Sequence, residues 1–121
     1  MNWIALQNSE QLSQLISESK IPDKFGVLVF KHSTRCSISN MALSRLERKW
    51  NFTTEKLSTY YLDLLNYREL SSKIENIFRI EHQSPQILLI QNGICTFSRT
   101  HSDIDVLEIE NFIGRTTGTE S

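Results

Sequence analysis

An α/β fold, with a central mixed sheet and helices on both faces, is predicted by three features of this 121-residue chain. Short apolar runs at 27–30 and 86–90 read as buried strands, and the segments between them carry apolar residues at helical spacing. Asn92-Gly93 then joins the last two strand-like runs as a two-residue hairpin turn. Parallel strands linked by helical crossovers, closed by one antiparallel hairpin, give the order β-α-β-α-β-α-β-β-α.

The elements follow in order. Trp3-Ile-Ala-Leu6 is a short apolar run suited to an edge strand. Asn8, with Gln11 three residues on, resembles a capping box, and Leu12, Leu15 and Ile16 form one apolar stripe before Lys20 and the breaker Pro22. After Phe25-Gly26, the uninterrupted run Val27-Leu28-Val29-Phe30 suits a strand covered on both faces. From Cys36 to Trp50, Ile38, Met41, Ala42, Leu46 and Trp50 recur at spacings of three and four. Arg45, Glu47, Arg48 and Lys49 are most simply the solvated face of that helix, although on the cysteine-bearing helix they could steer acidic targets. Leu57-Ser-Thr-Tyr-Tyr-Leu-Asp63 is rich in β-compatible side chains, with Tyr60 and Tyr61 alternating across the strand, and Tyr67, Leu70, Ile74, Ile77 and Phe78 then take helical spacing. Pro85 opens the strand at 86–90, where a missing N–H is tolerable, and residues 94–98 return from the turn. Ser102, with Asp105 three residues on, is expected to cap a last helix carrying Ile104, Leu107 and Phe112 and ending near Gly114. Residues 1–114 are thus expected to form one domain and 115–121 a flexible polar tail.

Composition narrows the function classes. A net charge of −1 and a pI near 6.3 provide no basic footprint for nucleic acid, and no run of about eighteen apolar residues could span a bilayer. The first eight residues carry no basic segment followed by an apolar one, so they do not read as a secretory signal, and a cytoplasmic location is expected. Cys36 and Cys95 are too few for a disulfide framework and suit a reducing compartment. The scattered His82 and His101 match no zinc spacing, so no metal is expected.

The chemistry concentrates at Cys36. It sits where a strand hands over to a helix, and the first turn of a helix presents unpaired N–H groups and a partial positive charge that favour a thiolate. Lys31, His32 and Arg35 are the candidate stabilising cations, His32 only while protonated. Ser39, in Cys-x-x-Ser spacing, can offer a hydroxyl to the thiolate one turn away, or is an ordinary polar residue early in the helix. A hydroxyl cannot close an intramolecular disulfide, so the arrangement is monothiol. Cys95, between Ile94 and Phe97 in the last hairpin, is expected to pack as a small apolar side chain.

A strand-to-helix cysteine and a proline opening a strand about fifty residues later resemble the thioredoxin fold. Within it, Phe30-Lys-His-Ser-Thr-Arg-Cys-Ser-Ile-Ser39 and His82-Gln-Ser-Pro-Gln-Ile-Leu-Leu-Ile-Gln-Asn-Gly93 resemble the monothiol bacilliredoxin family over nearly the whole chain. Members usually read Cys-Pro-Ile-Ser; Ser37 here replaces the proline, which keeps the thiol but removes a residue preset for the helix start. The resemblance implies a cytoplasmic thiol-disulfide oxidoreductase that removes bacillithiol, or another low-molecular-weight thiol acting as co-substrate, from S-thiolated proteins. Cys36 and Ser39 would form the catalytic pair, Ser37 and a cis Ser84-Pro85 bond the substrate platform, with no bound cofactor, in a monomer that engages neither nucleic acid nor membrane.

Two other classes stay open. A monothiol glutaredoxin-like iron–sulfur carrier typically reads Cys-Gly-Phe-Ser with a glycine-rich step before its last helix; here Ser37-Ile38 and Thr100-His-Ser-Asp103 stand there. A thioredoxin-fold binding module with a merely buried Cys36 is the other, because one scaffold hosts several functions.

Overall fold

The computed structural model describes residues 1–116. Among these residues the strands are β1 (Trp3–Ala5), β2 (Gly26–His32), β3 (Leu57–Asp63), β4 (Gln86–Gln91) and β5 (Ile94–Thr100). The helices are α1 (Ser9–Glu18), α2 (Ser37–Lys49), α3 (Arg68–Phe78) and α4 (Val106–Thr116), with a short 3-10 turn at His101–Asp103. The sheet order is β1-β3-β2-β4-β5. β1, β3 and β2 run parallel, β4 is antiparallel to β2, and β5 is antiparallel to β4.

Alternation along the central strands divides the core in two. Val27, Val29, Leu62, Leu88 and Ile90 face Leu12 and Leu15 of α1 and Leu70, Ile74 and Phe78 of α3. Leu28, Phe30, Leu57, Ile87 and Leu89 face Ala42 and Leu46 of α2 and Val106, Ile109 and Ile113 of α4. Strands covered on both faces must be apolar throughout, which is why residues 27–30 read as one continuous run.

Local chemistry fixes the ends of several elements. Asn8 Oδ1 accepts the Gln11 N–H at 2.8 Å, and Gln11 Oε1 accepts the Gln7 N–H at 2.7 Å, so the box at the start of α1 closes on the residue before the cap. Asn92 and Gly93 both take positive φ, 53° and 81°, as a tight hairpin of this kind requires. A register shift at Leu89/Ile90 shows that the β4–β5 ladder also carries a bulge.

The last helix departs from the expected pattern. Asp105, not Ser102, caps it: Asp105 Oδ1 accepts the Leu107 N–H at 3.0 Å, and residues 101–103 form the 3-10 turn instead. That delay rotates the apolar face, so Val106, Ile109 and Ile113 point inward while Leu107 is 59% exposed. Gly114 does not end the helix, which reaches Thr116; the rest of the expected tail, 117–121, lies outside the described residues.

The charged face of α2 is also more than solvated. Arg45 Nη2 donates to the Ile104 and His101 carbonyls, and Glu47 accepts the Trp3 indole N–H at 2.8 Å, so these charges tie α2 to the segment before α4 and to β1.

Candidate active site

β2 runs two residues beyond its apolar core, because Lys31 pairs with Leu62 and Gln86 and His32 pairs with Asp63. The loop after His32 therefore leaves the sheet beside the loop after Asp63, at the carboxyl ends of two parallel strands. The antiparallel neighbour arrives at the same end: Ser84-Pro85, a cis peptide bond, immediately precedes the Gln86 that pairs with Lys31. Ligands in sheets of this kind bind in the crevice outside the strand carboxyl ends.

Cys36 closes the first loop as the N-cap of α2, with extended backbone angles, φ −105° and ψ 120°. Its N–H donates to the Ser33 carbonyl at 3.1 Å, and its carbonyl accepts the Asn40 N–H at 3.0 Å. Its Sγ makes no capping bond, and the residue is half-buried, so the sulfur stands at the helix start with no hydrogen-bond partner among the described residues. Cys95 is different. It packs against the α1–α3 side of the core, its thiol donates to the Phe97 carbonyl at 3.5 Å, and burial pushes that thiol up, against weaker opposition from backbone groups of Phe97 and Leu89. Both cysteines are free, and Cys95 has the surroundings of a packed, protonated thiol.

Ser39 does not serve Cys36. It is fully buried, and its Oγ lies 2.5 Å from His32 Nδ1 and accepts the Ser33 N–H at 3.2 Å. The hydroxyl thus holds two partners at once, the Ser33 N–H and the imidazole Nδ1, and the tautomer of the ring sets which of the latter pair donates. Burial lowers the pKa of His32, outweighing Asp63, Asn40 and Glu47, which pull the other way. His32 is accordingly an uncharged ring, not a cation for the thiolate. The pair instead clips the end of β2 to the first turn of α2 across the loop that carries Cys36.

Lys31 is likewise no part of the Cys36 loop. It points to the opposite sheet face, wholly buried, with Nζ 3.1 Å from His82 Nδ1 and 3.5 Å from the Ser71 carbonyl. Burial lowers its pKa to about 8, with Glu75 opposing. Burial and the Lys31 charge lower His82 as well, so His82 Nδ1 accepts from the lysine. Strand alternation explains both corrections: Lys31 and His32 are consecutive strand residues and must face opposite layers. Arg35 is the one candidate cation that remains in the loop and exposed.

The remaining sequence-marked residues are at the site. Ser37 is the exposed first residue of α2. Pro85 is buried, its carbonyl accepting the His101 N–H at 3.1 Å. Ser84 Oγ is buried without a hydrogen-bond partner among the described residues. Ile38 and Met41, assigned by spacing to the inner face of α2, are 56% and 65% exposed, because Ser39, Ala42 and Leu46 take that face. They form an apolar margin beside Cys36.

Sequence reasoning missed Asp63, Asn66 and Arg68. Asn66 Nδ2 donates to Asp63 Oδ2 at 2.7 Å and the Leu65 N–H donates to Asp63 Oδ1 at 3.2 Å, which shapes the second loop. The available signal was an Asp and an Asn three apart between a strand and a helix, the composition of a side-chain-stabilised turn. Among the described residues no group of three or more His, Cys, Asp or Glu side chains is placed to hold a metal ion, and no helix is long and apolar enough to cross a membrane.

Comparison with known proteins agrees with this architecture. The family model described as "Monothiol bacilliredoxin BrxC" matches residues 4–109. A solved structure described as "A putative oxidoreductase with a thioredoxin fold" is 32% identical, with 90% of this chain and 91% of that one covered and a TM-score of 0.72. At the level of fold alone, a mutant thioredoxin from Halobacterium salinarum NRC-1 is 16% identical, with coverage of 99% and 95% and a TM-score of 0.71. Thioredoxin from Trypanosoma brucei brucei is 15% identical, with coverage of 93% and 91% and a TM-score of 0.70.

Proposed function

The chain belongs to the monothiol bacilliredoxin family, with a thioredoxin fold, and from that premise we propose that it removes bacillithiol or a related low-molecular-weight thiol from S-thiolated proteins through Cys36. The observation that carries this reading is the contrast between the two thiols. Cys36 Sγ is unengaged at a helix start, whereas Cys95 is packed, hydrogen-bonded and pushed toward its protonated form.

The Cys36 thiolate attacks the small-thiol sulfur of the mixed disulfide. A bond forms between the two sulfurs, the old S–S bond breaks, and the target leaves with the electron pair as a thiolate that takes a proton from water. Cys36 now carries the small thiol. A second molecule of that thiol, as its thiolate, attacks the bound small-thiol sulfur and regenerates Cys36 while forming the symmetrical small-thiol disulfide. Ser39 takes no part in bond exchange; it positions the loop through His32 and Ser33. The Ser84-Pro85 segment and Ser37 flank the extended target.

Incubating wild type, Cys36→Ser and Cys95→Ser with a bacillithiolated protein and reading intact masses tests the reading. The adduct should move to wild type and to Cys95→Ser and should stay on the target with Cys36→Ser. An adduct that moves equally well to Cys36→Ser contradicts it.

A further inference from the structure

Thr34 and Arg35, the two residues before Cys36, form one wall of a cleft of about 330 Å³ whose other wall is Leu65, Asn66 and Arg68 from the second loop. We propose that this cleft is a carboxylate-binding subsite, in which Arg35 and Arg68 hold the anionic body of the low-molecular-weight thiol while its sulfur is bonded to Cys36. The proposal rests on the reductase reading and adds to it the chemical class of the small thiol and the residues that select it.

Position is the first support. Both walls leave the carboxyl ends of paired strands, His32 beside Asp63, and Arg35 immediately precedes the nucleophile. Charge is the second. Among the described residues neither Arg35 nor Arg68 has an ion-pair or hydrogen-bond partner, although both line the same concave surface. The carboxylate within the turn, Asp63, has one oxygen taken by the Leu65 N–H and the other by Asn66 Nδ2, so it is directed into the loop. Arg68 is also the first residue of α3, an end where the helix dipole disfavours a cation, so an anion bound there would offset the unfavourable placement.

Preorganisation is the third support. The Leu64 N–H donates to the His32 carbonyl at 3.1 Å and joins the two walls at their base. Asn40 Nδ2 reaches the Thr34 carbonyl at 3.4 Å and steadies the first wall from α2. A volume near the lower end of small-molecule sites suits a thiol of modest size better than a protein segment. Guanidinium groups match carboxylates in geometry and charge, so two of them on one cleft select an acid-bearing ligand over a neutral one.

The cleft also determines which sulfur is attacked. With the carboxylates of the small thiol held between Arg35 and Arg68, its sulfur faces Cys36 and the target sulfur points outward as the leaving group. The new bond is then Cys36 Sγ to small-thiol sulfur, the bond broken joins that sulfur to the target, and the target departs as thiolate to be protonated by water.

The test uses 2-pyridyl mixed disulfides of mercaptosuccinate and of 2-mercaptoethanol, with release of 2-thiopyridone as the readout, in a Cys95→Ser background. Arg68→Met changes an exposed residue away from the nucleophile in sequence. It should slow the mercaptosuccinyl reaction about tenfold and the hydroxyethyl reaction less than twofold, and Arg68→Lys should recover part of the difference. Equal slowing of both reactions, or of neither, overturns the subsite and leaves the reductase reading standing. If Cys36→Ser releases 2-thiopyridone as fast as its parent, the reductase reading itself falls.

Discussion

Ser39→Ala is predicted to cost stability out of proportion to the single oxygen removed. Ser39 is 0% exposed and His32 is 2% exposed, so the change leaves His32 Nδ1 buried without its partner and the Ser33 N–H without its acceptor. An orphaned buried polar group costs about 1–3 kcal/mol. His32 Nδ1 bears most of that, and the half-buried Ser33 N–H, which water can partly reach, contributes less, for a sum of about 2–4 kcal/mol. With a urea dependence of about 1.5 kcal/mol per molar, the midpoint should fall by about 1.3–2.7 M at unchanged slope. Ser39→Cys, which retains a weak donor and acceptor in place, should fall between wild type and Ser39→Ala. A loss below about 0.5 kcal/mol for Ser39→Ala would refute the argument, because it would mean that His32 and Ser33 find other partners at no cost.

Two further perturbations probe the frame around the site. Lys31 passes from an ordinary 10.5 to about 8 on folding, so between those values the unfolded chain holds a proton that the folded chain lacks, and stability rises with pH by about 3 kcal/mol across the window. Lys31→Met abolishes that rise; urea titrations of both proteins from pH 8 to 10.5 should show their difference changing by this amount, and a constant difference contradicts the assignment. Gly26→Ala places a Cβ 2.6 Å from the Ile90 carbonyl oxygen at a φ of +139°, so it should cost about 2–3 kcal/mol in the same assay, and a loss below about 0.5 kcal/mol would show that β2 and β4 separate freely there.

What was legible in the sequence is what local chemistry controls. The cap at Asn8, the positive-φ turn at Asn92-Gly93, the strand at 57–63 and a cysteine at a helix start are each specified by residues within a few positions of one another. Pairing and layering are not. Lys31 and His32 look like loop cations beside Cys36, yet their pairing with Leu62, Asp63 and Gln86 extends β2 through them and sends their side chains to opposite faces. Ile38 and Met41 match helical spacing as well as Ala42 and Leu46 do; contact with the sheet decides which set is buried, and it chooses the set containing Ser39. Arg68 belongs to no motif near Cys36 in the chain, and only the parallel pairing of β2 with β3 brings its loop to the same cleft.

The central claim is that one thiol does the chemistry and needs an external thiol to be released. Wild type should therefore be mixed with an excess of S-bacillithiolated protein in the absence of free thiol, and the liberated target thiol counted against enzyme. The account predicts a burst of one equivalent per Cys36, then arrest as the Cys36 adduct, with turnover resuming when the small thiol is added. Several equivalents released without added thiol, or arrest as a Cys36–Cys95 disulfide, would contradict it.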